Sequence, residues 1–237
     1  VVNGDTLVIR EDYIPLSFSS SSFFSGSAVF AGYGFNSEQK ELEWNDYKNL
    51  DVNEKWVVVM RHSPDRHNQH SIYREHSSLH KKMMVARDLG AAGIIFISQI
   101  EDEALNPLIY TRGYKNMGIP AIHISNETAD KILKPYGWTR QSVQETMNRS
   151  LSSVTFDMDG VRISANVSLS PIKTRAAYVG GLIQSGNRRY RDEHVVIGAH
   201  FDHLGEGGAE SGSRKPDERI VHPGADDNAV SYTHLTL

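Results

Sequence analysis

Short apolar runs separated by polar and glycine-rich stretches alternate along the first 150 residues. The runs "KWVVVMRH", "GIIFIS" and "IPAIHIS" are apolar at successive positions, which is typical of short strands buried on both faces of a sheet. Between the first two, Leu79, Met83 and Ala86 recur at helical spacing, and Asn126 is predicted to be the N-cap of a second helix. The pattern predicts a mixed α/β unit of short strands and two helices over residues 26–150.

The segments on either side of this unit have different patterns. Residues 1–25 predict a strand followed by a linker, since Ser17 to Ser27, "SFSSSSFFSGS", is of low complexity. After residue 150, "VTFDMDGVRISANVSLS" alternates around Asp159-Gly160 and predicts a hairpin. "TRAAYVGGLIQ" and "HVVIGAHFDHL" then predict two further strands.

Composition and charge limit the classes of function. The 237-residue chain has 39% hydrophobic and 23% charged residues, which is ordinary for a globular protein. Its formal net charge of -4 argues against a nucleic-acid partner, which requires a basic face. No apolar run approaches the ~20 residues that span a bilayer. The chain has no cysteine, so any metal must be held by His, Asp or Glu.

The candidate chemistry begins where the run "VVIGAHFDHLG" changes from apolar to polar. His200 and Asp202 are two positions apart on this predicted strand and therefore project to the same side. A neutral imidazole can bind zinc through one nitrogen while a nearby carboxylate accepts a hydrogen bond from the other. On its own, the pair favours a histidine that simply ends a strand and is hydrogen-bonded to a loop.

A second polar cluster follows at "VHPGADDNA". Asp226 and Asp227 are adjacent carboxylates that repel each other unless a cation lies beside them. Read alone, "GADDNA" fits an Asx-type turn or a calcium loop. "GAHFDH" and "PGADDN" together form a much more specific combination.

This combination resembles the zinc-dependent exopeptidases with a co-catalytic zinc pair, the family of bacterial secreted aminopeptidases and glutamate carboxypeptidase. The resemblance implies a phosphorylase/hydrolase-like α/β sheet, two zinc ions, a peptide substrate and an extracytoplasmic location. Carried over by position, it makes His200 a zinc ligand, Asp202 the orienting acid and Asp226 the ligand that bridges both metals. It assigns no metal-binding role to His203 or His222.

The middle of the chain resembles a protease-associated domain. The matching features are "FAGYGF", "WNDYKNLDVNEKWVVVMRH", "KKMMVARDLGAAGIIFIS" and "GIPAIHIS". The two resemblances together predict a protease-associated domain at residues 26–150 and the first part of a zinc-peptidase domain at residues 151–229.

The sequence departs from the family pattern after Ala229. "VSYTHL" resembles the translation of a transposase sequencing adapter, which predicts that residues 230–237 are an artefact. The family also uses a downstream Glu-Glu pair, a further acid and a late histidine. We therefore expect this polypeptide alone to be inactive.

Two other features of the sequence allow a different interpretation. A non-catalytic receptor-like or peptide-binding protein could use the same scaffold, but the retention of His200, Asp202 and Asp226 favours the enzyme. The histidine-rich stretch "RHSPDRHNQHSIYREHSSLH" lacks the H-E-x-x-H spacing, because Ser77 follows His76, and is interpreted as a solvated loop. The sequence does not distinguish an aminopeptidase from a carboxypeptidase.

Overall fold

A six-stranded sheet organises the first 171 residues. In the computed structural model its strand order is β1-β7-β6-β5-β2-β8, in which β2, β5, β6 and β7 run parallel and the two edge strands run antiparallel to their neighbours. The strands are β1 Tyr13–Pro15, β2 Phe23–Ala31, β5 Trp56–Met60, β6 Gly93–Ile97, β7 Ala121–Ile124 and β8 Thr155–Asn166, and a separate hairpin pairs β3 Asn36–Gln39 with β4 Leu42–Asn45. The structure describes residues 1–237 except 40–41, 69, 103, 109–115, 173–174, 176, 178, 199, 201–203, 209–212, 214, 216–217 and 223–237.

The central strands are buried on both faces, which explains their unbroken apolar sequences. Every residue of β5 and β6 is buried. The helices are α1 Leu79–Asp88, α2 Asn126–Leu133 and α3 Arg140–Ser150. Trp56 and Val58 face one hydrophobic cluster with helices α2 and α3, whereas Val57 and Val59 face the other cluster with helix α1. A mixed α/β fold with a sheet-dominated core is therefore confirmed, because helices cover both faces of a largely parallel sheet.

Polar side chains cap the three α-helices at their N-termini. The Ser78 side chain accepts a hydrogen bond from the Lys81 N–H, and Thr139 forms a capping box with Ser142. For α2 the cap is Ser125, so the prediction of Asn126 as N-cap is wrong by one residue. Helix α3 is a third helix where the sequence pattern predicted two.

Two predictions for the sheet are wrong. The predicted linker at Ser17–Ser27 overlaps β2, which begins at Phe23. The predicted hairpin is instead the single strand β8, and Asp159-Gly160 lies in a bulge where the pairing with β2 shifts register. Gly160 has φ +84, so the turn residues do reverse the local backbone conformation without ending the strand.

The chain divides into two compact units, Val1–Pro171 and Ile172–Leu237. We call the first the sheet unit. Because β8 belongs to it, the sheet unit extends beyond residue 150, and the division of the chain into family domains stays a prediction. The two strands predicted after residue 171 are not formed in the described residues, where Val195 and Val196 are 91% and 90% exposed. None of the described helices is long and apolar enough to cross a membrane.

Candidate metal centre

The predicted metal ligands lie in the second unit, and the structure describes one of them. His200 is an exposed residue outside any helix or strand. Asp202 and Asp226 lie outside the described residues. Within the part of the chain that the structure describes, no group of three His, Asp or Glu side chains could hold a metal ion.

The backbone around the predicted site is held by local contacts. The His222 N–H donates to the Gly205 carbonyl at 2.7 Å, so residues on either side of the undescribed 209–212 segment meet. Gly207 has φ +72 and lies against this contact. His222 is thus half-buried beside a glycine turn.

A second polar cluster, which sequence reasoning missed, lies at the carboxyl ends of β5 and β6. Arg66 Nη1 is 2.9 Å from Asp102 Oδ1, while His62 Nε2 and Arg61 Nη1 are 3.2 Å and 3.7 Å from Asp102 Oδ2. Burial alone would raise the pKa of Asp102, but the charge of Arg61 and the hydrogen bond from Arg66 outweigh it and hold the pKa below its usual value. The available signal was the position of these polar residues directly after two buried strands.

The electrostatics of this cluster make His62 neutral. Burial first, and then the positive charges of Arg61 and Arg66, lower the pKa of His62 to about 4. The His62 contact with Asp102 is therefore not an ion pair near pH 7. Two arginines beside a single acid also repel cations, so the cluster is unsuited to a metal.

A buried serine and histidine lie close to this cluster. Ser98 Oγ is 2.9 Å from His123 Nε2, and the Asn106 N–H donates to His123 Nδ1 at 2.9 Å. Since Nδ1 accepts, the ring proton is on Nε2, which donates to Ser98. A histidine in this tautomer cannot take the proton of the serine hydroxyl, so the pair is structural and not a hydrolase nucleophile with its base.

A buried lysine supports the end of β5. Lys82 on α1 donates to the carbonyls of Met60 and His62, each at 2.6 Å, and is fully buried near the rings of Tyr33 and Phe35. Burial lowers its pKa well below the ordinary lysine value, against the attraction of Asp46. These two hydrogen bonds fix His62, which has φ +57.

Asp46 joins the segments around Lys82. It accepts hydrogen bonds from the Phe35 N–H, Trp44 Nε1 and Ser153. Burial raises the pKa of Asp46 to about 6, partly opposed by these bonds. A Cβ at Gly32, φ +46, would lie 2.6 Å from Asp46 Oδ1, which explains the first glycine of "FAGYGF".

Two open cavities border this end of the sheet, and both are lined by Glu101 and Gln144. The Gln144 side chain is occupied internally, because its Oε1 accepts from the Ile100 N–H at 2.8 Å and its Nε2 donates to Glu101. Gln144 is therefore not available to bind a ligand in either cavity.

Each of the two units contains a match to a protein family. Residues 21–132 match the PA (protease-associated) domain, and residues 179–236 match peptidase family M28. The two matches support a PA-domain-containing fragment of an M28 peptidase. We call residues 179–236 the M28 segment; it contains all three predicted site residues. The fold of the sheet unit is thus that of the PA domain.

Solved structures of peptidases resemble the chain only in part. An aminopeptidase from Aneurinibacillus sp. strain AM-1 is 15% identical, with a TM-score of 0.37, over 65% of this chain and 29% of its own. A peptidase M28 precursor from Shewanella amazonensis SB2B is 19% identical, with a TM-score of 0.32, over 66% of this chain and 32% of its own. The chain thus spans about a third of the length of these two proteins. No curated protein matches the chain.

Proposed function

We propose that the chain is part of a zinc-dependent metallopeptidase, an aminopeptidase-type exopeptidase that hydrolyses peptide bonds with a water activated by two zinc ions. The observation that supports this most is the match of the M28 segment to peptidase family M28. That segment holds both "GAHFDH" and "PGADDN", which are the parts of the chain with metal-binding chemistry.

The residues present fit zinc by the chemistry of their donor atoms. Zinc binds imidazole nitrogen and carboxylate oxygen, and the chain has no thiol to compete. His200 is an exposed residue. When bound, zinc polarises the scissile carbonyl and lowers the pKa of a coordinated water.

Each site residue has a separate proposed role. His200 is a zinc ligand through one ring nitrogen. Asp202 accepts a hydrogen bond from the other ring nitrogen and so fixes the tautomer that can bind metal. The Asp226 carboxylate has two oxygens and is the bridging ligand between the two cations. We also propose an extracytoplasmic location, on the resemblance alone.

This function is tested by peptide hydrolysis with the protein expressed from the complete reading frame of the gene. We expect release of aniline from aminoacyl anilides, loss of the activity with a zinc chelator, and its return on adding Zn²⁺. A peptide with a free amino terminus should be cleaved and its N-acetylated counterpart should not. Cleavage that instead requires a free carboxyl terminus would make the enzyme a carboxypeptidase, and activity that is insensitive to chelators would exclude a metallopeptidase.

The orienting role of Asp202 gives a second test in the same protein. Asp202→Asn keeps the size of the side chain but removes its charge, and we expect a loss of about 10- to 100-fold in zinc affinity or in kcat/KM. The control is His222→Ala, because His222 has no proposed metal role, and it should keep near wild-type activity. Equal losses in both variants would contradict the assignment.

A further inference from the structure

The turn that precedes the candidate metal ligands is exposed and rich in arginine. We define the arginine turn as residues 185–193, "SGNRRYRDE", all of which are exposed. It contains a short 3-10 helix, Arg188–Tyr190, and Arg189 lies over the Tyr190 ring at 5.6 Å. Arg188, Arg189 and Arg191 are thus within four consecutive positions on a surface that a protein partner can reach.

The contacts of the arginine turn with the described residues are local. In the described part of the chain its hydrogen bonds join positions two or three apart, such as the Arg189 N–H to Asn187 Oδ1 at 3.0 Å and the Tyr190 N–H to the Asn187 carbonyl at 3.1 Å. The apolar residues on either side are not buried either, since Ile183 is 94% and Val195 is 91% exposed. Opening the turn into an extended strand therefore breaks few bonds and exposes little additional apolar surface.

Arginines of the sheet unit are held much more firmly. Arg66 binds Asp102 at 2.9 Å, Arg87 donates to the Met117 carbonyl at 2.9 Å, and Arg140 donates to the Gln99 carbonyl at 3.2 Å. These contacts join residues far apart in the sequence. A protease that needs several extended residues would have to unfold part of the sheet unit to reach them.

We propose that the arginine turn is a cleavage site for an arginine-specific endopeptidase, at the bonds that follow Arg188, Arg189 or Arg191. The reaction is hydrolysis: water adds its hydroxyl to the arginine carbonyl carbon and its proton to the amine of the next residue. The cut separates the sheet unit from His200 and thereby disconnects the PA domain from the candidate metal centre. The cleavage does not depend on the proposed peptidase activity.

Limited digestion of the 237-residue chain tests the proposal. With an arginine-specific endopeptidase at low concentration, intact-mass analysis should show that the earliest products end at Arg188, Arg189 or Arg191. A lysine-specific endopeptidase should not cut in the turn, which has no lysine. Earliest cuts by the arginine-specific enzyme within Val1–Pro171 would overturn the proposal.

A variant with a matched control gives the second measurement. Replacing Arg188, Arg189 and Arg191 together by glutamine should slow the first cleavage at least about tenfold, because we expect the turn to be cut ahead of Arg175 and Arg219, the single exposed arginines on either side of it. Arg149→Gln removes an exposed arginine in α3 and should leave the rate unchanged. A triple variant that is cut at the wild-type rate would contradict the proposal, and the mapping in the unmodified chain does not depend on how the variant folds.

Discussion

At the residue scale, His123 shows how the sheet unit excludes a charge. Burial first, and then the charge of Arg61, lower the pKa of His123 to about 3, while Ser98 and the Asn106 N–H bind the neutral ring. In the unfolded chain the pKa returns to about 6.5. Below that pH the unfolded state therefore binds a proton at His123 that the folded state does not bind.

This difference predicts acid sensitivity. Through His123 alone, the free energy of unfolding should fall by about 1.4 kcal/mol for each pH unit below 6.5, until the pH approaches 3. Urea denaturation between pH 7 and pH 4 should show a steeper loss for the wild type than for His123→Gln. Asp46 acts in the opposite direction, because its pKa is raised to about 6, but it is common to both proteins and cancels in the difference. Equal slopes would contradict the assignment of a neutral buried His123.

Lys82 gives a prediction about buried hydrogen bonds. Lys82→Met keeps most of the side-chain volume but leaves the Met60 and His62 carbonyls without their donor. We expect a loss of about 2–4 kcal/mol in the free energy of unfolding, measured by chemical denaturation. Lys81→Met is the matched control on the same helix and should stay within about 0.5 kcal/mol. A similarly small change in Lys82→Met would show that these hydrogen bonds contribute little.

At the element scale, the contact between β5 and β6 depends on a glycine. A Cβ added to Gly93 would lie 2.4 Å from Cζ3 of Trp56, whose Nε1 donates to the Ile163 carbonyl of β8 at 3.0 Å. The indole therefore joins the edge strand to the centre of the sheet, and the glycine gives it room.

We therefore expect Gly93→Ala to destabilise the sheet unit by about 1–3 kcal/mol, as overpacking does in a filled core. Thermal unfolding measures this directly. Gly180→Ala, where the added Cβ meets open space, is the control and should have almost no effect. A neutral Gly93→Ala would mean that the Trp56 ring can move without cost.

The elements that the sequence predicted well are those whose own pattern determines them. β5, β6, β7 and α1 have unbroken apolar runs or clear helical spacing, and the structure confirms them. β8 was mistaken for a hairpin because Asp159-Gly160 is equally suited to a turn and to a bulge, and only the partner strand β2 decides between them. The runs "VGGLI" and "HVVIG" illustrate the converse, because an apolar sequence forms a strand only when another strand pairs with it.

At the scale of the whole molecule, the sheet unit should fold without the rest of the chain. Its six strands and two hydrophobic clusters lie within Val1–Pro171. A protein of residues 1–171 should therefore unfold cooperatively, within about 2–4 °C of the melting temperature of the 237-residue chain. A molten fragment would show that residues after 171 contribute to the core.

The sequence predicted the residues of the candidate metal centre, but its pattern does not bring them together. His200 and Asp202 are linked by strand alternation, which is a local property. Their relation to Asp226 depends on tertiary structure that the spacing of residues does not fix, and both acids lie outside the described residues. The Asp102 cluster was missed for a related reason, since its members come from two separate segments that meet only at the end of the sheet.

The central claim is that the M28 segment carries metal ligands, and zinc binding tests it most directly. The measurement is the zinc content and zinc affinity of the protein expressed from the complete reading frame, compared with His200→Ala and with the control His222→Ala. We predict that the wild type and His222→Ala bind zinc alike, and that His200→Ala loses zinc together with its activity. Unchanged zinc binding in His200→Ala, or no zinc in the wild type, would contradict the account.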